Sequence, residues 1–222
     1  MNKFFIFNKK VNIYNYFIVL ISLYFFYLII NNIFLALPTW SDENYAIQKA
    51  KSLSILNPTN FFYEIYNDVH PPFYFFILGV SFNIFGENYF AARIPNLIFS
   101  ILIYIKLLKF IKNKQRLHKF FIVGFFLTNW AYIWYTHEIR PYLLLLFLSI
   151  LLYENIYNRI FKGEKNLVSF FLISLVCVMT HYISFFFITS IIFIELFYLK
   201  KISKKKISKY FLIEILLFVP FF

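Results

Sequence analysis

The sequence predicts an all-α polytopic membrane protein of about seven transmembrane helices, and three observations support this fold class. The chain has 222 residues, of which 61% are hydrophobic and 25% aromatic, whereas ordinary soluble domains are about 45–50% apolar. The apolar residues fall in runs that approach the ~20 residues of a membrane span. The basic residues cluster between those runs. A soluble domain of this length could not bury so much apolar surface, so lipid is the expected solvent.

The Lys and Arg residues orient the chain in the membrane. Eighteen of the 22 lie at 3–10, 106–119, 159–165 and 200–209, and each cluster flanks an apolar run. Cytoplasmic loops of membrane proteins carry such an excess of Lys and Arg, so we place all four clusters inside. The net charge of +12 is therefore explained by topology, and no nucleic-acid partner is expected.

One apolar run is ambiguous. The segment from Pro72 to Phe85 is too short to span comfortably. A crossing there would also put Arg93 or the 106–119 cluster on the side of the membrane where its positive charge is not expected. We expect an interfacial helix within one large external loop, residues 38–89; a true span at 72–86 is the alternative. The predicted spans are Tyr14–Leu37, Tyr89–Phe110, Phe120–Tyr135, Pro141–Tyr157, Leu167–Thr180, Tyr182–Leu199 and Tyr210 to the end.

The two ends of the chain carry further predictions. The apolar run that begins at Tyr16, after three lysines, is long for a cleavable signal peptide, so we expect an uncleaved signal anchor. The last apolar run, Phe211–Phe222, has no polar tail. We therefore interpret residues 1–222 as a membrane-embedded module truncated at its C-terminus.

Two adjacent acids, Asp42 and Glu43, directly follow the first predicted span. A pair of carboxylates at the membrane surface can act as a general base and a positioning acid. The simpler interpretation is a helix N-terminus, with Ser41 as the cap and the acids complementing the helix dipole. Both can hold, because a helix start also fixes a carboxylate rigidly.

A second external motif is Asp68-Val69-His70-Pro71-Pro72. The two prolines enforce extended geometry and then permit a helix to start. His70 could bind a phosphate or an acceptor, or it could be a solvated cap of the interfacial helix.

Cationic and polar groups also gather at the outer ends of later spans. His137, Glu138 and Arg140 fall in one tight turn, and the planar fork of Arg140 suits a phosphate diester. Arg93 begins a span and could instead extend to lipid headgroups, and headgroup contact is also an alternative for the turn. The weakest signal is Thr180-His181-Tyr182, whose histidine could simply occupy a turn.

These stretches together resemble the glycosyltransferase C superfamily, in particular relatives of the protein O-mannosyltransferases and of the aminoarabinose and galacturonic acid transferases of bacterial lipopolysaccharide. The order and spacing of the motifs along nearly the whole chain carry the resemblance. They are Asp42-Glu43 in the first external loop, Asp68-Val69-His70-Pro71-Pro72, Phe85-Gly86 followed by Ala92-Arg93-Ile94-Pro95, and Thr136-x-Glu138-x-Arg140-x-Tyr142.

The resemblance implies an inverting membrane glycosyltransferase that moves a sugar from a polyprenyl-phosphate donor to a hydroxyl of a glycan, lipid or protein acceptor. It places the active site on the external face of the plasma membrane. In that interpretation Asp42 is the general base and Glu43 orients Asp42 or the acceptor. Arg140, with Arg93 or His137, holds the donor phosphate. The remaining residues that would position the acceptor or the loop are Asp68, His70, Glu138 and Tyr142.

No cofactor and no metal are expected, although Asp42, His70 and Glu138 could in principle bind a metal ion. Two other functions are open from the sequence. A transporter or flippase of lipid-linked glycans would carry charges at mid-membrane or broken helices in two related halves, and neither is visible. A non-catalytic fragment is the other alternative.

Overall fold

The computed structural model describes residues 13–34, 39–52, 63, 70–163 and 166–198, and the elements within these ranges are helices, with no strand among them. Residues 53–62 and 64–69 of the predicted external loop, and the whole of the predicted seventh crossing, lie outside the described residues. The helices are α1 (Ile13–Phe34), α2 (Ser41–Ser52), α3 (Phe73–Phe85), α4 (Tyr89–Ile111), α5 (Arg116–Leu127), α6 (Trp130–His137), α7 (Tyr142–Phe161), α8 (Leu167–Thr180) and α9 (Ser184–Tyr198).

Three of these helices are long and apolar enough to cross a membrane: α1 over Ile13–Asn31, α4 and α7. The helices α3, α8 and α9 are apolar but have only 13, 14 and 15 residues. At about 1.5 Å per residue they extend roughly 20–22 Å, less than the ~30 Å hydrocarbon core. The described residues therefore agree with an all-helical membrane protein, in which these three helices are the candidate spans.

One predicted span is two helices in the structure. The predicted crossing Phe120–Tyr135 is covered by α5 and α6, which are separated at Thr128 and Asn129. The Asn129 side chain accepts a hydrogen bond from the Tyr132 N–H at 3.0 Å, and this cap starts a new helix. The apolar composition continues across the break, so hydropathy alone could not locate it.

A proline inside α4 explains how α3 is attached to it. Pro95 has no N–H, so the carbonyl four residues earlier, that of Ala91, lacks its helical donor. The Ser81 hydroxyl of α3 donates to that carbonyl at 2.5 Å, and both residues are buried. A free carbonyl in an apolar interior costs several kcal/mol by rough estimate. Ser81 therefore satisfies the group that Pro95 leaves without a partner, and it holds α3 against the N-terminal half of α4.

The helices pack around two apolar clusters that share α4 and α7. One cluster joins these helices to α2, α3, α8 and α9, and the other joins them to α1, α5 and α6. Near the C-terminal ends of α4 and α7, Lys106 pairs with Glu154, and Arg159 pairs with Glu195 of α9 at 2.7 Å. The polar residues discussed next lie at the opposite ends of α4 and α7.

Candidate active site

The first turn of α2 is built around Glu43. The Trp40 carbonyl accepts the Asn44 N–H at 3.0 Å, and Glu43 Oε2 accepts the Trp40 N–H at 3.0 Å. This is the carboxylate half of a capping box. The cap predicted at Ser41 therefore lies one residue earlier, at Trp40, while the predicted role of the acids as part of a helix N-terminus is supported.

Glu43 also reaches a segment that is distant in sequence. Its side chain is buried, with 3% of the residue exposed, and its Oε1 accepts the Ile139 N–H at 2.7 Å. One carboxylate thus joins the start of α2 to the turn between α6 and α7. Hydrogen bonds to a charged acceptor are about twice as strong as neutral ones, so this contact fixes the relative position of Asp42 and the turn.

A second side chain, Asn96 of α4, holds the same turn from the other side. Its amide nitrogen donates to the carbonyl oxygens of Tyr135 at 3.4 Å, of Arg140 at 3.3 Å and, more closely, of Glu138. The Tyr74 hydroxyl donates to Asn96 Oδ1 at 3.4 Å, and this bond sets which end of the amide faces the turn. The turn that carries Arg140 is therefore anchored through its backbone.

An ion pair at the protein surface joins the turn to α2. Arg140 Nη2 contacts Asp42 Oδ2, although the two residues are 98 positions apart in the chain. The Asp42 side chain is 63% exposed and that of Arg140 28% exposed. Burial lowers the pKa of Arg140, but the Asp42 carboxylate and other nearby anionic groups outweigh burial and raise it overall. Arg140 Nε is buried, and its N–H has no hydrogen-bond acceptor among the described residues.

The ion pair borders a cleft of about 370 Å³. Its walls come from the start of α2, the residues before α3, the α6–α7 turn and the α8–α9 turn. Most of its lining surface is aromatic or apolar, with polar groups placed around it, as in many small-molecule sites. The polar and aromatic groups that line it are Asp42, Tyr45, His70, Tyr74, Phe75, Arg140, Tyr142, Thr180, His181 and Tyr182.

The structure places four of the predicted site residues in this cleft: Asp42, His70, Arg140 and Tyr142. The His70 ring lies 5.5 Å from the Tyr45 ring, and the Tyr142 ring lies 4.7 Å from the Tyr135 ring, between centroids. These contacts hold both side chains at the cleft wall.

Other predicted residues do not line the cleft. Arg93 is 1% exposed within α4. His137 faces a separate apolar cavity of about 800 Å³ between α1 and α5–α6, with its ring 5.2 Å from that of Trp134. The backbone carbonyl of Glu138 accepts a hydrogen bond from the Asn96 side chain. Asp68 lies outside the described residues.

Asp42, His70 and Glu138 are the residues that could in principle have bound a metal ion. Within the ranges that the structure describes, no three His, Cys, Asp or Glu side chains come together closely enough to hold a metal ion. The cleft instead combines one carboxylate, one guanidinium and two imidazoles among aromatic rings. Such a set can bind an anion and accept a proton from a hydroxyl.

Three residues that shape the site were not among the predicted site residues. His181 lines the cleft, Tyr45 packs on His70, and Asn96 holds the turn. His181 carried the weakest motif. Asn96 directly follows Pro95, and a polar residue inside an apolar helix beside a proline is a signal that could have identified it.

Comparison with protein-family models, with curated proteins and with solved structures finds no match to this chain.

Proposed function

We propose that this chain is the membrane-embedded module of an inverting glycosyltransferase, which transfers a sugar from a polyprenyl-phosphate donor to an acceptor hydroxyl at the external membrane face. The observation that supports it is the pairing of Asp42 with Arg140 at the mouth of one aromatic cleft. A general base and a phosphate-binding guanidinium are the two groups that such a transfer requires at one place.

The ion pair suggests how the donor prepares the base. In the free protein Arg140 neutralises Asp42. A donor phosphate is a competing anion that can take the guanidinium in a bidentate contact, and its charge would separate Arg140 from Asp42. The Asp42 carboxylate is then free to accept the acceptor's hydroxyl proton, so the base becomes available only when the donor is bound.

The transfer step follows from these positions. Asp42 accepts the proton of the acceptor hydroxyl while the oxygen attacks the anomeric carbon. The bond from that carbon to the phosphate oxygen breaks, and its electron pair leaves with the polyprenyl phosphate. The leaving group gains one negative charge, which Arg140 stabilises; preorganised cationic groups of this kind are often the largest catalytic contribution. Glu43 acts as a positioning residue because it ties α2 to the turn.

The proposal includes the sidedness of the site. We place α3 at the external interface and give the whole chain seven crossings, with α5 and α6 forming one of them. In a Cys177→Ser background, an impermeant thiol reagent added from outside should label Glu87→Cys, before α4, and should not label Asn113→Cys, after it. Protection of Glu87→Cys would show that α3 crosses the membrane, and the seven-span arrangement would be wrong.

The base is tested with Asp42→Asn, measured with a panel of radiolabelled polyprenyl-phosphate sugars in proteoliposomes. Turnover should fall by about 10²–10⁴-fold. Binding of undecaprenyl phosphate should become tighter, because Arg140 no longer has a competing carboxylate. A residue that only completes a helix N-terminus would change neither quantity strongly, so near-normal turnover would remove Asp42 from the mechanism.

Arg140 is tested by two substitutions of different severity. Arg140→Lys keeps the charge and loses the fork, so it should weaken undecaprenyl phosphate binding, and Arg140→Ala should weaken it further. Lys51→Ala is the control, since Lys51 forms an exposed ion pair with Glu87 at 3.0 Å, away from the cleft. Unchanged affinity in Arg140→Ala would contradict the assignment. Gradient-dependent uptake of a water-soluble sugar would favour a transporter instead.

A further inference from the structure

His181 is held in the cleft by its own main chain. It lies between α8 and α9, and its N–H donates to the Cys177 carbonyl at 3.0 Å. Its carbonyl accepts both the N–H of Ser184 at 3.0 Å and the hydroxyl of the same residue at 2.7 Å. The imidazole therefore projects from a fixed backbone position into the cleft that Arg140 also lines.

The hydrogen bonds of the ring determine its tautomer. The Ile183 N–H donates to His181 Nδ1 at 3.2 Å, so Nδ1 carries a lone pair and the proton of the neutral ring is on Nε2. Burial, and secondarily the nearby His70, lower the pKa of His181 and favour this neutral form. Among the described residues, none hydrogen-bonds to Nε2. The ring thus offers one directed N–H donor.

We propose that His181 is a ligand-binding residue of the cleft, whose Nε2–H donates to an oxygen of the same lipid-linked phosphate that Arg140 binds. The inference rests on the proposed function, because it takes the phosphate as the ligand. A phosphate diester only accepts hydrogen bonds, and it needs donors at more than one of its oxygens. Arg140 supplies a charged donor from the α6–α7 turn, and His181 supplies a neutral one from the α8–α9 turn.

A neutral donor has a specific advantage at this place. The cleft already holds a cation that is paired to Asp42, and a second permanent cation would attract the carboxylate as well as the phosphate. A neutral N–H binds an anion without competing strongly for Asp42. The Tyr142 ring lies beside His181, with 6.1 Å between the ring centroids. This contact brings the α6–α7 turn and the α8–α9 turn together at this part of the cleft wall.

The inference is tested by binding of undecaprenyl phosphate to the full chain in nanodiscs, with uncharged undecaprenol as the comparison lipid. His181→Phe keeps a flat ring and removes the donor, and it should weaken binding of the phosphate lipid by about tenfold or more. His181→Gln places an amide N–H near the former Nε2 and should remain within about threefold of the unsubstituted protein. His118→Phe, on the exposed start of α5, is the matched control and should bind normally.

The possible outcomes separate the inference from the function it rests on. If undecaprenyl phosphate binds better than undecaprenol but His181→Phe binds as well as the unsubstituted protein, the role of His181 is wrong and the proposed function stands. If the unsubstituted protein does not distinguish the two lipids, both are wrong. His181→Leu provides a second donor-free variant, so that the comparison can be made with whichever variant keeps the normal unfolding transition.

Discussion

The contact between Ser81 and the carbonyl freed by Pro95 gives a prediction with an internal control. Removing the hydroxyl in Ser81→Ala leaves the Ala91 carbonyl buried without a donor, which costs about 1–3 kcal/mol. Hydrogen bonds between membrane helices average only about 0.6 kcal/mol, because the unfolded state in the membrane also finds partners for these groups. The Ala91 carbonyl additionally lacks the N–H donor that a carbonyl in a regular helix keeps, so we expect a larger loss, about 1–2 kcal/mol in the free energy of unfolding.

The second substitution returns the missing donor. In Pro95→Ala the new N–H can bond to the Ala91 carbonyl within α4. Ser81→Ala should then cost only a few tenths of a kcal/mol in this background. The coupling energy between Ser81 and Pro95, which both act through the Ala91 carbonyl, should be about 1 kcal/mol. Ser100→Ala is the control, because the Ser100 hydroxyl donates at 2.7 Å to the Asn96 carbonyl, which also has a regular helical donor.

The measurement is unfolding in detergent followed by circular dichroism and by fluorescence of the three tryptophans. For a chain of this size, 1 kcal/mol corresponds to a melting-temperature change of about 2–4 °C. An equal loss from Ser81→Ala in both backgrounds would show that the hydroxyl does not replace the proline's missing donor.

Three further predictions use the same unfolding measurement. Glu43→Gln turns an amide N–H towards a backbone N–H and loses a charge-assisted hydrogen bond, so it should lower the free energy of unfolding by about 2 kcal/mol. An unchanged melting temperature would mean that the carboxylate does not hold the turn. Asn96→Ala should destabilise by about 1–3 kcal/mol and also weaken undecaprenyl phosphate binding, and a loss of stability with full affinity would separate Asn96 from the cleft. Arg159→Met should cost about 3–5 kcal/mol, whereas the double variant Arg159→Met/Glu195→Leu should recover most of it. Equal destabilisation of the single and double variants would refute the buried ion pair as the cause.

The sequence determined the helical membrane character of this protein and most of its helix boundaries. Hydropathy needs only local information, because the length and composition of an apolar run decide whether it can form a helix in lipid. The predicted span Leu167–Thr180 coincides with α8, and α4 ends one residue beyond its prediction. The break before α6 was missed because Thr128 and Asn129 are only two polar residues within a long apolar run, and the mean hydropathy of the run hides them.

The sequence also indicated which residue types the site would use, but it could not assign them to one surface. Asp42 and Arg140 were both selected as polar groups near the outer ends of spans, whereas their ion pair depends on how α2 packs against the α6–α7 turn. Arg93 was selected on the same grounds, yet it is buried inside the bundle. Hydropathy reports depth in the membrane and carries no information on rotation about the helix axis.

Only the tertiary structure decided that Glu43 and Asn96 hold the turn, that Ser81 completes α4, and that His181 shares a cleft with Arg140. Each of these contacts joins groups that are far apart in the chain or in different helices. Their formation depends on the angles at which apolar faces pack, and many different residue pairs are compatible with the same pattern of apolar runs. Composition and spacing therefore determine what can enter the membrane and which groups remain at its surface, and helix packing alone determines which of those groups meet.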